Sequence, residues 1–150
     1  MSLTARLEQE YIAAYKAKDS VRLGVLRLLK TALKNFQVQH LRTPTDDDVL
    51  DVIARQCKQR QDSIEQYKAA QRPELADREA AEMAILCEYL PPKLAPAELE
   101  AAVETAIAAV QAGGLRDMGK VMQALLAAHK GQVDGKAASD AVKAALQKLG

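Results

Sequence analysis

His40 and His129, Cys57 and Cys87, and the serines Ser2, Ser20, Ser63 and Ser139 are the side chains of this chain that could act as base, nucleophile or soft metal ligand. Their spacing organises none of these roles. Nucleophilic catalysis needs the nucleophile beside a base, and no serine lies in the glycine-flanked elbow that presents a hydrolase nucleophile. The two cysteines lack CxxC spacing, and the histidines do not fall at metal-ligand intervals from them. Cys57 and Cys87 sit on helical patterns and read as buried apolar residues. Each histidine lies near an expected helix end, where an imidazolium meets the negative pole of the dipole. "TDDDVLD" (45–51) lacks the loop glycine and closing glutamate of a calcium loop and reads as a helix start. No Walker loop and no GxGxxG offers a nucleotide seat. No catalytic residue, cofactor site or metal site is therefore assigned.

Two basic features remain. From Lys18 to Arg42 the cations Lys18, Arg22, Arg27, Lys30, Lys34 and Arg42 face Asp19 alone, and Arg27, Lys30 and Lys34 share one helical face. Further on, "KGQVDGKAASDAV" (130–142) reads as helix end, tight turn and helix start. Arg116, Lys120, Lys130 and Lys136 surround that turn, and the N–H groups of the helix beginning near Asp134 and Gly135 suit phosphate oxygens. Two readings stand for each feature: a solvated helix face or a turn kept for packing, and a contact for nucleic-acid backbone. With aromatics at 3%, no Trp and one Phe, base stacking has little to work with. Recognition would rest on shape and phosphate.

The elements that position these residues are helical. Ala, Leu, Glu, Gln, Lys and Arg are abundant, which favours helix. Helix 1 is expected over about Thr4 to Lys18, with Leu3, Leu7, Tyr11 and Tyr15 as its stripe. Helix 2 spans about Val21 to Leu41, capped by Ser20, with Val21, Val25, Leu28, Leu29, Ala32 and Phe36 inward. Thr45 and Asp48 form a capping box for helix 3, which runs to about Ala70. Pro73 opens helix 4 in its first turn, and "YLPPKL" stops it. Pro96 opens helix 5, and "AGG" (112–114) ends it through glycine's left-handed freedom. Asp117 caps helix 6. Gly131 and Gly135 let helices 6 and 7 meet, with Asp134 as cap and Val142, Ala145, Leu146 and Leu149 inward. The fold class is all-α: an N-terminal bundle of about four helices (1–92), then a small C-terminal three-helix domain (93–150).

The chain has 150 residues and a net charge of +1 from 21 basic and 20 acidic residues, so any nucleic-acid site must be local. A chain of this size buries about 68–70% of its unfolded surface, enough for a core without staples. The opening "MSLTARLEQEYIAAYK" mixes polar and apolar residues unlike a signal peptide. No apolar run nears the roughly 20 residues that cross a bilayer. A cytoplasmic setting with reduced cysteines is expected.

"DSVRLGVLRLLKTALKN" (19–35), "KQRQDSIEQYKAAQRPELADREAAEMAILCEYLP" (58–91), "DMGKVMQAL" (117–125) and the 130–142 turn together carry a resemblance. In this order and spacing they resemble the YqeY family, the stand-alone GatB/YqeY domain proteins of bacteria. The resemblance spans essentially the whole chain. It implies an all-helical fold whose small C-terminal domain is similar to the tail of the GatB component of glutamine-dependent tRNA amidotransferase. In that enzyme the tail engages tRNA, while other parts release ammonia and activate the aminoacyl group. The resemblance thus implies tRNA, or an amidotransferase or other tRNA enzyme, as partner, without amide-transfer chemistry in this chain. The label of carbon–nitrogen ligase with glutamine as amido-N-donor is inherited from the larger enzyme. An adapter docking through its N-terminal bundle is the alternative, marked by an apolar strip on helix 1 or 4. Two positions depart from the pattern: Gln123 and Gln71 stand where the family has glycine, the first bearing on helix packing and the second on a loop.

Overall fold

The computed structural model describes residues 2–149. They form α1 (Leu3–Ala17), α2 (Ser20–His40), α3 (Asp46–Ala69), α4 (Pro73–Cys87), α5 (Pro96–Val110), a short 3-10 turn (Leu115–Asp117), α6 (Met118–Ala128) and α7 (Gly135–Gln147), with no strand among them. The chain is all-α. It divides into two units, Met1–Leu90 and Pro91–Gly150.

The N-terminal unit buries Leu7 and Ala14 of α1, Val25, Leu26, Leu29 and Leu33 of α2, Val49 and Ile53 of α3, and Leu86 of α4, with Tyr89 just beyond it. Each helix contributes the i, i+3/i+4 pattern of an amphipathic face. Two expected faces are rotated. Tyr15 is exposed and Ala14 is buried in its place. A strict four-residue repeat drifts about 40° per step around a helix of 3.6 residues per turn, so three steps carry Tyr15 out of the core. In α2, Val21 and Leu28 are exposed while Leu26 and Leu33 are buried. The α2 sequence has apolar residues all round, and packing against α1, α3 and α4 selects one of several overlapping faces.

The caps follow the same logic with one exchange. Asp19, not Ser20, caps α2, its carboxylate accepting from Arg22 N at 3.1 Å. The capping box of α3 is present: Thr45 Oγ1 accepts from Asp48 N at 3.2 Å, and Asp48 Oδ2 accepts from Thr45 N at 2.8 Å. Arg42 donates to the same Asp48 carboxylate at 2.6 Å. That guanidinium and the Thr45 amide hold the carboxyl well below its ordinary range. Pro73 is the first residue of α4.

α3 and α4 run antiparallel. Cys57 lies beside Cys87, while Arg60, one turn further along α3, donates to Glu79 at 3.2 Å and to Glu82, so ascending positions on one helix meet descending positions on the other. Tyr89 is buried, and its hydroxyl donates to Glu10. Burial, then the Glu10 carboxylate, pushes that phenol above its ordinary value.

The C-terminal unit packs Val103 and Ala106 of α5, Val121 and Leu125 of α6, and Ala138, Val142 and Leu146 of α7 into a second core. Leu149, expected inward, is 54% exposed. Pro96 opens α5, and Glu98 Oε1 accepts from Ala95 N at 3.2 Å. The left-handed residue that ends α5 is Gln111 (φ 55°), not a glycine of "AGG", and Gly114 is extended at φ 173°. Asp117 makes no cap bond to α6; its Oδ2 accepts from Gly113 N at 2.9 Å and ties the preceding loop instead.

Candidate nucleic-acid interface

The turn between α6 and α7 is held by its backbone. Gly131 takes φ 72°, a left-handed conformation that an L side chain resists. Gly135 has no such need, and a Cβ there would meet open space. One glycine, not two, makes the turn. Gln132 fixes it: its N–H donates to His129 O at 3.0 Å and its O accepts from Leu94 N at 2.8 Å. Its side-chain amide donates to Pro92 O at 3.4 Å and its Oε1 lies 3.4 Å from His129 Nδ1. The turn is thereby stapled to the segment that leads into α5. No spacing rule in the sequence singles out Gln132, because the partners it joins lie 38 and 40 residues upstream in chain order, at Leu94 and Pro92.

The four expected cations do not gather at this turn. Arg116 lies in the 3-10 turn and Lys120 in the first turn of α6, both exposed. Lys130 is half-buried in the connection, and Lys136 is exposed as the second residue of α7. The 11 residues of α6 rise about 16 Å and separate the first pair from the second. Asp134 caps α7, with Oδ2 accepting from Ala137 N at 3.1 Å. A carboxylate thus already sits at the helix N-terminus expected to receive phosphate. The C-terminal unit offers a dispersed basic surface, not a single anion seat. Lys93, Arg116, Lys120, Lys136, Lys143 and Lys148 are all exposed, and none forms an ion pair among the described residues.

The α2 face is partly withdrawn. Lys30 Nζ pairs with Glu8 at 3.0 Å and lies 4.0 Å over the Tyr11 ring, clamping α2 to α1. Arg27 and Lys34, two turns apart, stay exposed without an ion pair among the described residues. Of the flanking cations, Arg22 and Arg42 are engaged as well: Arg22 grips Glu88 with two bonds of 2.8 and 2.9 Å, and Arg42 holds Asp48.

Two concave features lie on the surface. In the C-terminal unit, α5 and α7 enclose an apolar groove of about 530 Å³ lined by Leu99, Val103, Ile107, Ala145 and Leu149, with Glu100, Glu104 and Lys148 on its rim. In the N-terminal unit, a polar pocket of about 400 Å³ is bounded by Leu28, Gln56, Arg60, Glu79 and Glu82. His40 stacks on Phe36 with ring centroids 4.1 Å apart, and His129 closes α6. Among the described residues no group of three or more His, Cys, Asp or Glu could hold a metal ion. No helix among them is long and apolar enough to cross a membrane.

Comparison with known proteins agrees with this architecture. "Altered inheritance of mitochondria protein 41, mitochondrial" of Pyrenophora tritici-repentis is 26% identical over 129 residues, 85% of this chain and 71% of that protein. The protein of the same name in Lachancea thermotolerans is 32% identical over 102 residues, covering 66% of this chain and 54% of the relative. The one in Kluyveromyces lactis is 35% identical over 86 residues, 57% of this chain and 46% of the relative. The chain thus spans about half the length of the two yeast relatives. All three are fungal, so a bacterial origin finds no support among them. The family model described as Yqey-like protein matches residues 4–146. With α1 to α7 essentially inside that match, the chain belongs to the YqeY family.

Proposed function

We propose that this chain is a non-catalytic helical module that contacts tRNA, chiefly through its C-terminal unit. The observation that carries the reading is the set of exposed cations there, from Lys93 to Lys148, that no carboxylate neutralises among the described residues. Cations left to solvent bind phosphate by releasing counterions, which needs no base contact. Family membership supports it, since the resemblance of the C-terminal domain to the amidotransferase tail implies tRNA as ligand. Arg27 and Lys34 extend the surface in the N-terminal unit, while Lys30 serves α1–α2 packing. The reading includes a cytoplasmic setting; the mitochondrial name of the fungal relatives describes those proteins, and cell fractionation decides the compartment here. The test is binding to bulk tRNA over a salt series. Affinity falls linearly on logarithmic axes, and Arg116→Ala, Lys120→Ala and Lys136→Ala together reduce the slope by about 2–3. An unchanged slope moves the site to Arg27 and Lys34. Absence of binding at low salt overturns the reading.

The α5–α7 groove favours a second reading, an adapter on an amidotransferase or other tRNA enzyme. Its apolar floor and its Glu100–Glu104 rim suit an amphipathic partner helix with basic residues beside its apolar stripe. A complex that survives nuclease and is lost on Leu149→Asp would support it. Glutamine or ATP turnover by the purified chain alone would overturn both readings and restore the carbon–nitrogen ligase label.

A further inference from the structure

The cysteines, read in sequence as buried apolar residues, meet in space, and neither is fully buried. Cys57 of α3 and Cys87 of α4 are 30 positions apart, yet their Sγ atoms are 3.8 Å from one another. Their surroundings differ. Cys57 is half-buried against the core of the N-terminal unit, and Cys87 is exposed. The contact is a product of register. Arg60, one turn along α3, is bonded to Glu79 and Glu82 on α4 and fixes the two helices lengthwise. Cys87 is the last residue of α4, where the chain leaves the helix in a turn closed by Leu90 N donating to Cys87 O at 3.2 Å. A disulfide needs the sulfurs at about 2 Å, and the end of a helix yields more readily than its middle.

We propose that Cys57 and Cys87 are an oxidisable thiol pair that a hydroperoxide converts into an intramolecular disulfide, cross-linking α3 to α4. Exposure sets the order of events. The Cys87 sulfur, having lost its proton, attacks the peroxide; the O–O bond breaks, one oxygen stays as a sulfenic acid, and the other leaves as water or alcohol with that proton. The Cys57 sulfur then attacks the Cys87 sulfur. The S–O bond breaks, hydroxide departs and takes the Cys57 proton, and a second water forms. Two thiols and one hydroperoxide give one disulfide, one water and one water or alcohol, and a dithiol reductant reverses the result. The peroxide is reduced and the thiol pair oxidised, so no metal or bound cofactor enters the balance.

The purified chain treated with hydrogen peroxide tests this, read by intact mass, thiol alkylation and thermal melting. The expected product has lost two hydrogen masses, resists alkylation at both cysteines, regains both thiols with dithiothreitol, and melts about 5–10 °C higher. Cys87→Ser, at an exposed helix end, gives none of these changes, and circular dichroism confirms that it stays helical. Oxygen atoms gained at Cys87 with Cys57 still alkylatable would overturn the proposal. So would a cross-link found only between two chains, or a chain that keeps both thiols in peroxide sufficient to oxidise added free cysteine.

Discussion

Among the described residues, ion pairs fasten the N-terminal unit and not the C-terminal one. In the N-terminal unit four cations are fasteners: Arg22 to Glu88, Lys30 to Glu8, Arg42 to Asp48, and Arg60 to Glu79 and Glu82 join helix to helix or helix to loop, while others such as Arg27, Lys34 and Arg55 stay exposed without an ion pair among the described residues. In the C-terminal unit the exposed lysines and Arg116 point to solvent without such partners among the described residues, and apolar contacts with backbone staples hold the helices together. A run of basic residues is therefore a poor guide to a binding surface. What counts is which cations the fold has already neutralised, and by that measure the basic α2, left with Arg27 and Lys34, offers no more than α7, with Lys136 and Lys143.

The contrast between the units breaks most decisively at the cores. Leu29→Ala and Leu125→Ala each remove a side chain that is at most 1% exposed, one per unit, and each costs about 3 kcal/mol. In denaturant unfolding each shifts the transition of its own unit. A common shift from either variant would show that the units unfold as one and that their charge economies cannot be separated. A medium effect comes from the fasteners. Arg60→Ala leaves the partly buried Glu79 without a cation and Glu82 with Arg78 alone, and is expected to cost about 2 kcal/mol, whereas Lys136→Ala changes stability by less than about 0.5 kcal/mol. Equal losses would erase the distinction.

A smaller effect is read in pH. Glu88, held low chiefly by its hydrogen bonds from Arg22, and Asp48, held low by Arg42, have folded values below their unfolded ones. Their contribution is present above about pH 4 and is lost as pH falls through the folded values. Tyr89 is raised by burial, so its contribution is present below about pH 10 and is lost as pH climbs beyond that. Melting of the N-terminal unit should fall at both limbs. Arg22→Met should flatten the acid limb, and Tyr89→Phe the alkaline one.

The sequence makes the helices legible because caps and breakers act locally. Thr45 with Asp48, Pro73, Pro96 and Asp134 each do in space what their types announce. The faces are less legible. Leu28 and Tyr15 belong to helices with apolar residues on several sides, and only the neighbouring helix decides which are covered. The site is the least legible, because its meaning lies in partners far away in sequence: Lys30 with Glu8, Gln132 with Pro92, Cys57 with Cys87. No local pattern records such pairs, which is why sequence reasoning gathers four cations at one turn that the 11-residue α6 in fact divides. Chain reversals mislead for a related reason. Glycines are expected to carry them, yet Lys18, Leu41, Gln71 and Gln111 take the left-handed conformation with φ of 53–59°. The smallest test follows from this. Gln71→Gly should stabilise the chain by about 0.5–1 kcal/mol, by relieving a conformation that glycine adopts freely.

The short α3–α4 reversal has a kinetic side. Residues 70–72 are all that separate two long helices whose contacts are close in sequence, so this hairpin closes a small loop and loses little chain entropy in doing so. The bond from Leu3 N to Asp46 Oδ1 instead spans 43 residues. Lys18 and Asp19 alone separate α1 from α2, so each hairpin closes locally, and the long-range bonds between the two hairpins should form last. Synthesised from its N-terminus, the chain makes the α1–α2 hairpin first, and the apolar residues that this hairpin turns toward α3 and α4 wait uncovered until α4 has been made.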